Sequence, residues 1–220
     1  MRNVNSKNLV HCRALRGIFA AVILAAAFLA SGTAVRVASA ADDPMTVVKQ
    51  SVNSALPILR NKQTPLADRQ QKLRDIIAAS FDFAEMARSA LGYHWKEITP
   101  DQQQEFTKVF ITFIENSYLA KLNEYPGWQV QYLGQRNDGA QYSVVKTSLV
   151  QAGKDPITLD FRLLLDQSGQ WKVYDVAVDA ISIIANYRNQ FNRVMNNKGY
   201  STLIADLKSK EAGLAASMGN

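Results

Sequence analysis

The chain contains few of the residues that carry most enzymatic chemistry. Its 220 residues include one cysteine, Cys12, and two histidines, His11 and His94. Nucleophilic thiol chemistry, disulfide bonds and His/Cys metal sites therefore have almost no residues to use. A lone histidine is more often structural than catalytic, because general acid–base catalysis needs positioned partners. Neither a G-x-S-x-G elbow nor a phosphate-binding glycine loop occurs. The composition favours a binding or structural protein over an enzyme.

The first 40 residues have the pattern of a secretory signal. Residues 1–16 are basic and contain no acid, residues 17–30 are apolar, and Ala38-Ser39-Ala40 is a small-x-small cleavage site. The alternative is an N-terminal membrane anchor, but the apolar run is shorter than the roughly 20 residues that span a bilayer. We therefore expect residues 1–40 to be a signal peptide cleaved after Ala40.

The positive net charge belongs mostly to that signal. Five of the 25 basic residues lie in residues 1–40, which contain no acid, so the remaining chain has 20 basic and 19 acidic residues. A balanced charge gives no reason to expect a nucleic acid partner. The length predicts one domain, over residues 41–210, followed by a polar tail at 211–220.

Capping residues predict a helical first half. Helix starts are indicated at Asp43-Pro44, Thr64-Pro65, Asp82 and Thr99-Pro100. The last of these helices is predicted to run from Thr99 to Asn123 with a wide apolar and aromatic face. Two closing helices are predicted at residues 181–197 and 201–210, separated by Gly199.

Between these helical parts the apolar period changes from helical spacing to alternation. Four alternating segments are separated by turn sequences at residues 137–139, 153–156 and 167–169. They predict an antiparallel meander, from the segment that begins at Trp128 to the strand that ends at Val178. Helices, a meander and further helices together predict an α+β domain in which a curved antiparallel sheet of about four strands is covered by helices.

The apolar faces of these elements allow two interpretations. One is a packed core and the other is the wall of a ligand cavity, because both use the same residue types. Asp160 and Asp175 are candidate catalytic acids, with His94 as a partner, although sheet carboxylates are more often solvated. Asp175 could instead pair with Arg188 or Lys172.

Several short motifs lie along residues 46–207. They are Leu91-Gly92 with Trp95, Ile98-Thr99-Pro100, Leu159-Asp160-Phe161, the segment 169–176, Ala180-Ile181-Ser182-Ile183, and Asn186-Tyr187-Arg188 with Phe191. Together they resemble the MlaC family, also called the toluene-tolerance family. Where that family usually has Gly-Val-Ser-Leu after the last strand, this chain has alanine and isoleucine in the first two positions.

The resemblance implies an NTF2-like fold and a periplasmic phospholipid carrier with no catalytic role and no cofactor besides its cargo. Such a carrier would serve an ABC transport system that maintains outer-membrane lipid asymmetry. Its partners would be an inner-membrane MCE-domain subunit and an outer-membrane lipoprotein complex, and a carrier that meets two partners in turn is expected to be a monomer. Arg188, Lys146 and Arg162 would be either phosphate neighbours or plain surface charges.

The resemblance also places a lipid cavity between the sheet and the helices at 99–123 and 181–197. The residues predicted to line it are Phe110, Phe113, Ile114, Tyr118, Val144, Leu159, Phe161, Leu163, Val173, Ile181, Ile184 and Tyr187.

Three alternatives stay open at this point. The chain could carry another apolar lipid, such as a hopanoid. It could be an NTF2-like enzyme that uses Asp160 or Asp175 with His94. It could also be a structural partner protein with a filled core.

Overall fold

The computed structural model describes residues 42–122 and 127–218. The predicted signal peptide, at residues 1–40, lies outside the described residues. Within them, no helix is long and apolar enough to cross a membrane.

The helix starts follow from local capping chemistry. Asp82 caps the helix that begins at Phe83 by accepting a hydrogen bond from the backbone N–H of Glu85 at 2.9 Å. Thr99 and Gln102 reciprocally cap the helix that begins at Pro100: the Gln102 N–H donates to Thr99 Oγ1, and the Thr99 N–H donates to Gln102 Oε1. The four helices that precede the sheet are α1 (Pro44–Arg60), α2 (Leu66–Ser80), α3 (Phe83–Leu91) and α4 (Pro100–Leu122), and a short 3₁₀ segment, Gly92–Lys96, follows α3.

The sheet is an antiparallel meander in sequence order, which confirms the predicted α+β class. It has five strands rather than about four, because a short strand follows the main meander. The strands are β1 (Gln129–Asp138), β2 (Tyr142–Val150), β3 (Ile157–Leu165), β4 (Trp171–Val178) and β5 (Ile181–Ser182). The added strand β5 pairs with the end of β4.

The C-terminal helical segment, α5, spans Ile183–Met218 and is interrupted at Gly199, which has φ 76° and ψ 178°. The predicted break at this glycine is therefore present. The prediction that the helix begins at Ile181 is wrong, because Ile181 pairs with Val178 in the sheet. The predicted polar tail from residue 211 is helical as far as Met218. Beyond the break, the Tyr200 hydroxyl donates to the carbonyl of Gln102 at 2.8 Å and so attaches α5 to the start of α4.

Two apolar clusters hold these layers together. In the smaller cluster, Val48 of α1 packs on Val145, Leu163 and Val173 of the sheet. The larger cluster joins α3, α4 and α5, with Phe106, Phe110, Phe113 and Phe191 among its buried residues. Helix α1 therefore covers one face of the sheet, and the three-helix layer packs on the other face, where Tyr174 meets it.

Candidate functional site

The sheet has two chemically different faces. Because alternate residues of a strand point to opposite faces, the register fixes which residues share a face. Most residues of the face under α1 are apolar, and we call it the apolar face; the apolar residues of its covered part are Val145, Phe161, Leu163, Val173 and Val176. The opposite face, which we call the polar face, carries Lys146, Asp160, Arg162, Asp175 and Ser182.

The apolar face continues beyond the part that α1 covers. One residue from each strand lies there directly opposite its neighbour, and we call this set the outer row: Tyr132, Thr147, Leu159, Val178 and Ile181. Whereas Val145 and Leu163 are fully buried, Leu159 and Val178 are only partly buried, and 66% of Ile181 is exposed. Thr147 is the polar member, and its hydroxyl is satisfied because it donates to the Leu159 carbonyl at 3.0 Å. Thr147 itself is fully buried, so the partly accessible members of the outer row are Tyr132, Leu159, Val178 and Ile181.

The polar face is fixed to α5 by a buried carboxylate. Asp175 is 2% exposed and accepts hydrogen bonds from Arg162 at 3.0 Å, from the Ser182 hydroxyl at 2.6 Å and from the Ile184 N–H at 3.1 Å. The Ser182 hydroxyl also accepts from the Ala185 N–H. Two of the free N–H groups at the start of α5 are therefore satisfied, and a negative charge lies at the positive end of the helix dipole.

The three-helix layer is filled by aromatic rings. Phe110, Phe113, Tyr187 and Phe191 form edge-to-face and stacked pairs with ring centroids 5.4–6.2 Å apart. Burial raises the pKa of Tyr118 above its usual range, with smaller contributions from the nearby Tyr187 and Asp175. Burial likewise raises the pKa of Tyr187. Both phenols therefore stay neutral, and this layer is a packed core.

The structure separates the twelve predicted lining residues into different places. Their role in holding a ligand remains a prediction, but their positions are settled. Six lie in the helical layer: Phe110, Phe113, Ile114, Tyr118, Ile184 and Tyr187. Three lie in the covered part of the apolar face and two in the outer row: Phe161, Leu163 and Val173, then Leu159 and Ile181.

The twelfth, Val144, corrects the predicted pattern. It is paired with Arg162 on the polar face, so the prediction that it shares a face with Leu159 and Phe161 is wrong. Its neighbour Val145 takes that place and is fully buried. In addition, the predicted wall between the sheet and the helices of the second half is polar on the sheet side, because Arg162 and Asp175 face it.

Two of the three cations proposed for a phosphate already have internal partners. Arg162 pairs with Asp175. Arg188 donates to the Ser89 carbonyl at 2.6 Å, and its stem passes over Gly92. This contact joins the Leu91-Gly92 and Tyr187-Arg188 motifs in space. Lys146 is exposed, and it is paired directly with Asp160 on the neighbouring strand.

The candidate catalytic groups are engaged separately. His94 Nδ1 contacts Glu97 Oε2 at 2.5 Å, while Asp175 holds Arg162 and the start of α5. The suggested pairing of Asp175 with Arg188 or Lys172 is therefore wrong. Within residues 42–122 and 127–218, no group of three or more His, Cys, Asp or Glu side chains is placed to hold a metal ion.

A surface depression of about 480 Å³ lies between α3 and the turn after β3. Three of its side chains are carboxylates, those of Asp82, Glu85 and Asp166. An acyl chain or a phosphate would be disfavoured there, since the one avoids polar groups and the other is repelled by negative charge. The outer row of the apolar face is the better candidate site.

Sequence reasoning omitted three members of that row from the predicted site: Tyr132, Thr147 and Val178. Tyr132 belongs to the alternation of Trp128, Val130 and Tyr132, which was visible. Val178 ends a strand whose register depends on a bulge between Arg162 and Leu163, and no local pattern marks that bulge.

Together, the fold and this site define a class: a small α+β domain with a partly accessible apolar sheet face suited to hold an apolar molecule. The chain belongs to the MlaC family, whose profile, described as MlaC protein, matches residues 49–209.

Two known proteins support that assignment. The chain is 25% identical, over 191 residues, to the intermembrane phospholipid transport system binding protein MlaC of Haemophilus influenzae; the match covers 83% of this chain and 86% of the relative. It is also similar to a phospholipid-binding protein from Ralstonia solanacearum whose structure was solved in complex with a phospholipid. That likeness has a TM-score of 0.71 and 27% identity, and it covers 79% of this chain and 99% of the other.

Proposed function

We propose that this protein is a carrier that binds a phospholipid and moves it between membranes as the soluble binding component of an intermembrane phospholipid transport system. The observation that carries the proposal is the outer row, an apolar surface that the fold leaves partly uncovered. The Haemophilus influenzae relative bears the name of such a component, and the Ralstonia solanacearum protein holds a phospholipid.

The physical need for a carrier is large. Each methylene of an acyl chain costs about 0.8 kcal/mol in water, so two chains of about 15 methylenes cost roughly 24 kcal/mol. A free lipid therefore does not cross an aqueous compartment at a useful rate. A protein that covers the chains with apolar side chains removes most of this cost and leaves the polar head near solvent. It needs no catalytic group.

We place the protein in the periplasm, exported by residues 1–40 and cleaved after Ala40. Its partners would be an inner-membrane MCE-domain subunit of an ABC transporter and an outer-membrane lipoprotein complex. The described domain would act as a monomer, because each partner must reach the same lipid in turn.

Native mass spectrometry of protein purified from the periplasm, followed by lipid extraction, tests the proposal. We expect a one-to-one adduct at the mass of a diacyl phospholipid and a chain that begins at Ala41. An adduct at the mass of a hopanoid would replace the phospholipid by another apolar cargo. A clean mass without ligand, together with no uptake from liposomes, would contradict the carrier function.

A further inference from the structure

A lysine and a tyrosine meet at one end of the outer row. Lys49 lies on the exposed side of α1, and its Nζ is 5.3 Å from the centroid of the Tyr132 ring. At this distance the ammonium is attracted to the ring. Among the described residues, Lys49 forms neither an ion pair nor a hydrogen bond. Its positive charge is therefore available to a ligand.

The Tyr132 hydroxyl also has no polar partner among the described residues. Its oxygen is buried, yet it has no hydrogen-bond partner within the part of the chain that the structure describes. A buried hydroxyl without a partner is costly, and such a group calls for an explanation. Burial raises the pKa of Tyr132, so the phenol stays protonated and can donate. A ligand acceptor would satisfy it.

A β-bulge determines the face of the sheet on which the Tyr132 side chain lies. The register between β1 and β2 shifts after Tyr132, because Leu133 is an extra residue before Gly134. As a result Tyr132 and Gln135 share the apolar face although they are three positions apart. Gln135 accepts from the Met45 N–H at 2.8 Å, which holds the first turn of α1 over β1 and places Lys49, one turn later, beside Tyr132. Bulges often re-aim side chains at functional sites.

The length of the outer row suits an acyl chain. It crosses five strands, and neighbouring strands lie about 4.8 Å apart, so Tyr132 and Ile181 are separated by about 19 Å along the sheet. An acyl chain spans half of a hydrocarbon core, or about 15 Å. One chain laid along the row from Ile181 toward Tyr132 would cover about three of the four strand spacings, so its polar end would lie about one strand from Tyr132.

We propose that Lys49 and Tyr132 bind the phosphate of the cargo lipid, with an acyl chain along the outer row. This inference rests on the proposed carrier function. A phosphodiester has the chemistry that both groups lack: a negative charge for the ammonium and an oxygen acceptor for the phenol. The pair would therefore select a phosphate-bearing lipid over one with the same chains and no phosphate.

Lipid extraction from mixed vesicles tests this selectivity. The vesicles contain phosphatidylglycerol and diacylglycerol with identical acyl chains in equal amounts, and the lipids bound to the protein are measured by mass spectrometry. Wild-type protein should retain mostly phosphatidylglycerol. Tyr132→Phe should lower the ratio of phosphatidylglycerol to diacylglycerol about tenfold, because a buried hydrogen bond to a charged group is lost. Lys49→Met should lower it about threefold, because the ammonium lies near solvent. In both variants, uptake of diacylglycerol should fall less than uptake of phosphatidylglycerol, because diacylglycerol has no phosphate to lose.

Matched controls separate this role from general effects. Lys108→Met removes the same charge from the exposed side of α4, and Tyr142→Phe removes a hydroxyl from the polar face. Both should keep the wild-type ratio. Thermal unfolding of all four variants checks that each is folded.

An unchanged ratio in both Tyr132→Phe and Lys49→Met would overturn the phosphate contact while leaving the carrier function intact. Wild-type protein that extracts neither lipid would overturn the carrier function itself. Inorganic phosphate provides the last arm: if it binds lipid-free wild-type protein but not Tyr132→Phe, and the lipid ratio does not differ, the pair is a site for free phosphate and the headgroup assignment is wrong.

Discussion

The same strands form both faces of the sheet, but one face carries a buried and hydrogen-bonded carboxylate whereas the other is partly uncovered. On the polar face, Asp175 is buried and accepts from three donors, which join β3, β4, β5 and the start of α5. On the apolar face, α1 covers the inner part but leaves the outer row partly open. One face therefore fixes the helices to the sheet, and the other keeps an apolar surface within reach of a ligand.

This difference explains how a small domain can be stable and still expose a binding surface. Apolar area left in water forgoes about 25 cal/mol per Å² that burial would otherwise contribute. The remaining stability must come from elsewhere, and the aromatic layer of Phe106, Phe110 and Phe191 with the Asp175 network lies where no ligand needs to enter. Four substitutions test this difference: they alter the polar face, the apolar face, the helical layer and the turn that connects the two faces.

The largest effect is expected from Asp175→Ala on the polar face. The substitution leaves the Ile184 N–H and the Ser182 hydroxyl without their acceptor and removes the partner of Arg162. We expect the free energy of unfolding to fall by about 3 kcal/mol, since breaking a buried pair exposes the full desolvation cost of its partners. Denaturant unfolding measures it.

Asp175→Asn is the matched control, because it keeps one oxygen that can accept from the Ile184 N–H, while it removes the charge and replaces the oxygen that accepts from Arg162 and Ser182 with an NH2 group. It should cost about 1 kcal/mol, since the exposed part of Arg162 can turn to solvent. A loss below 1 kcal/mol for Asp175→Ala would mean that the network does not hold the two layers together.

Ile181→Glu changes the apolar face. Ile181 is 66% exposed, so the substitution should leave folding intact. A carboxylate at the end of the outer row would lie against an acyl chain, and the lost apolar contact together with the buried charge should weaken lipid binding about a hundredfold. Lipid copurification followed by mass spectrometry gives the occupancy.

Leu66→Glu serves as its control, because Leu66 is also an exposed apolar residue but lies at the start of α2. It should retain wild-type lipid occupancy. If Ile181→Glu protein copurifies with as much lipid as the control, the outer row is not where the chain lies.

Gly92→Ala acts in the helical layer. Gly92 has φ +63° and ends α3, and an added Cβ would meet the stem of Arg188 at 3.3 Å. A side chain in this backbone region is strained, so we expect a loss of about 2 kcal/mol in the free energy of unfolding. The control Gly139→Ala also has positive φ but open space around it and should cost less. Equal losses would show that the Arg188 contact contributes nothing.

Local signals explain what the sequence predicted well. The starts of α1, α3 and α4 depend on a proline or a capping residue within a few positions. These interactions are local and do not depend on the tertiary structure. The meander follows from turns at short spacing. The α+β class was therefore predictable.

The assignment of residues to the two faces of the sheet was not predictable from the sequence. In β2, Val144 and Val145 are both apolar, and a shift of one residue moves every side chain to the other face. Contacts with residues distant in sequence, Val48 and Val173 among them, decide between the two faces. Likewise, the bulge opposite Arg162 gives Tyr174 and Asp175 to the polar face and Val176 to the apolar face, so the Asp175 network depends on an irregularity that alternation conceals.

The smallest effect is expected at the border of the two faces, in the turn between β4 and β5. Asp179 and Ala180 both have positive φ, at 46° and 66°, where glycine is favoured and alanine is strained. Asp179 tolerates this because its carboxylate accepts from the N–H and hydroxyl of Thr158. Ala180→Gly should therefore raise the free energy of unfolding by up to about 1 kcal/mol, less the entropy that glycine adds to the unfolded chain. Lipid occupancy should stay at the wild-type value, since the outer row is unchanged. A drop in occupancy together with greater stability would instead show that strain in this turn sets the position of Ile181, and that the polar and apolar faces are coupled through β5.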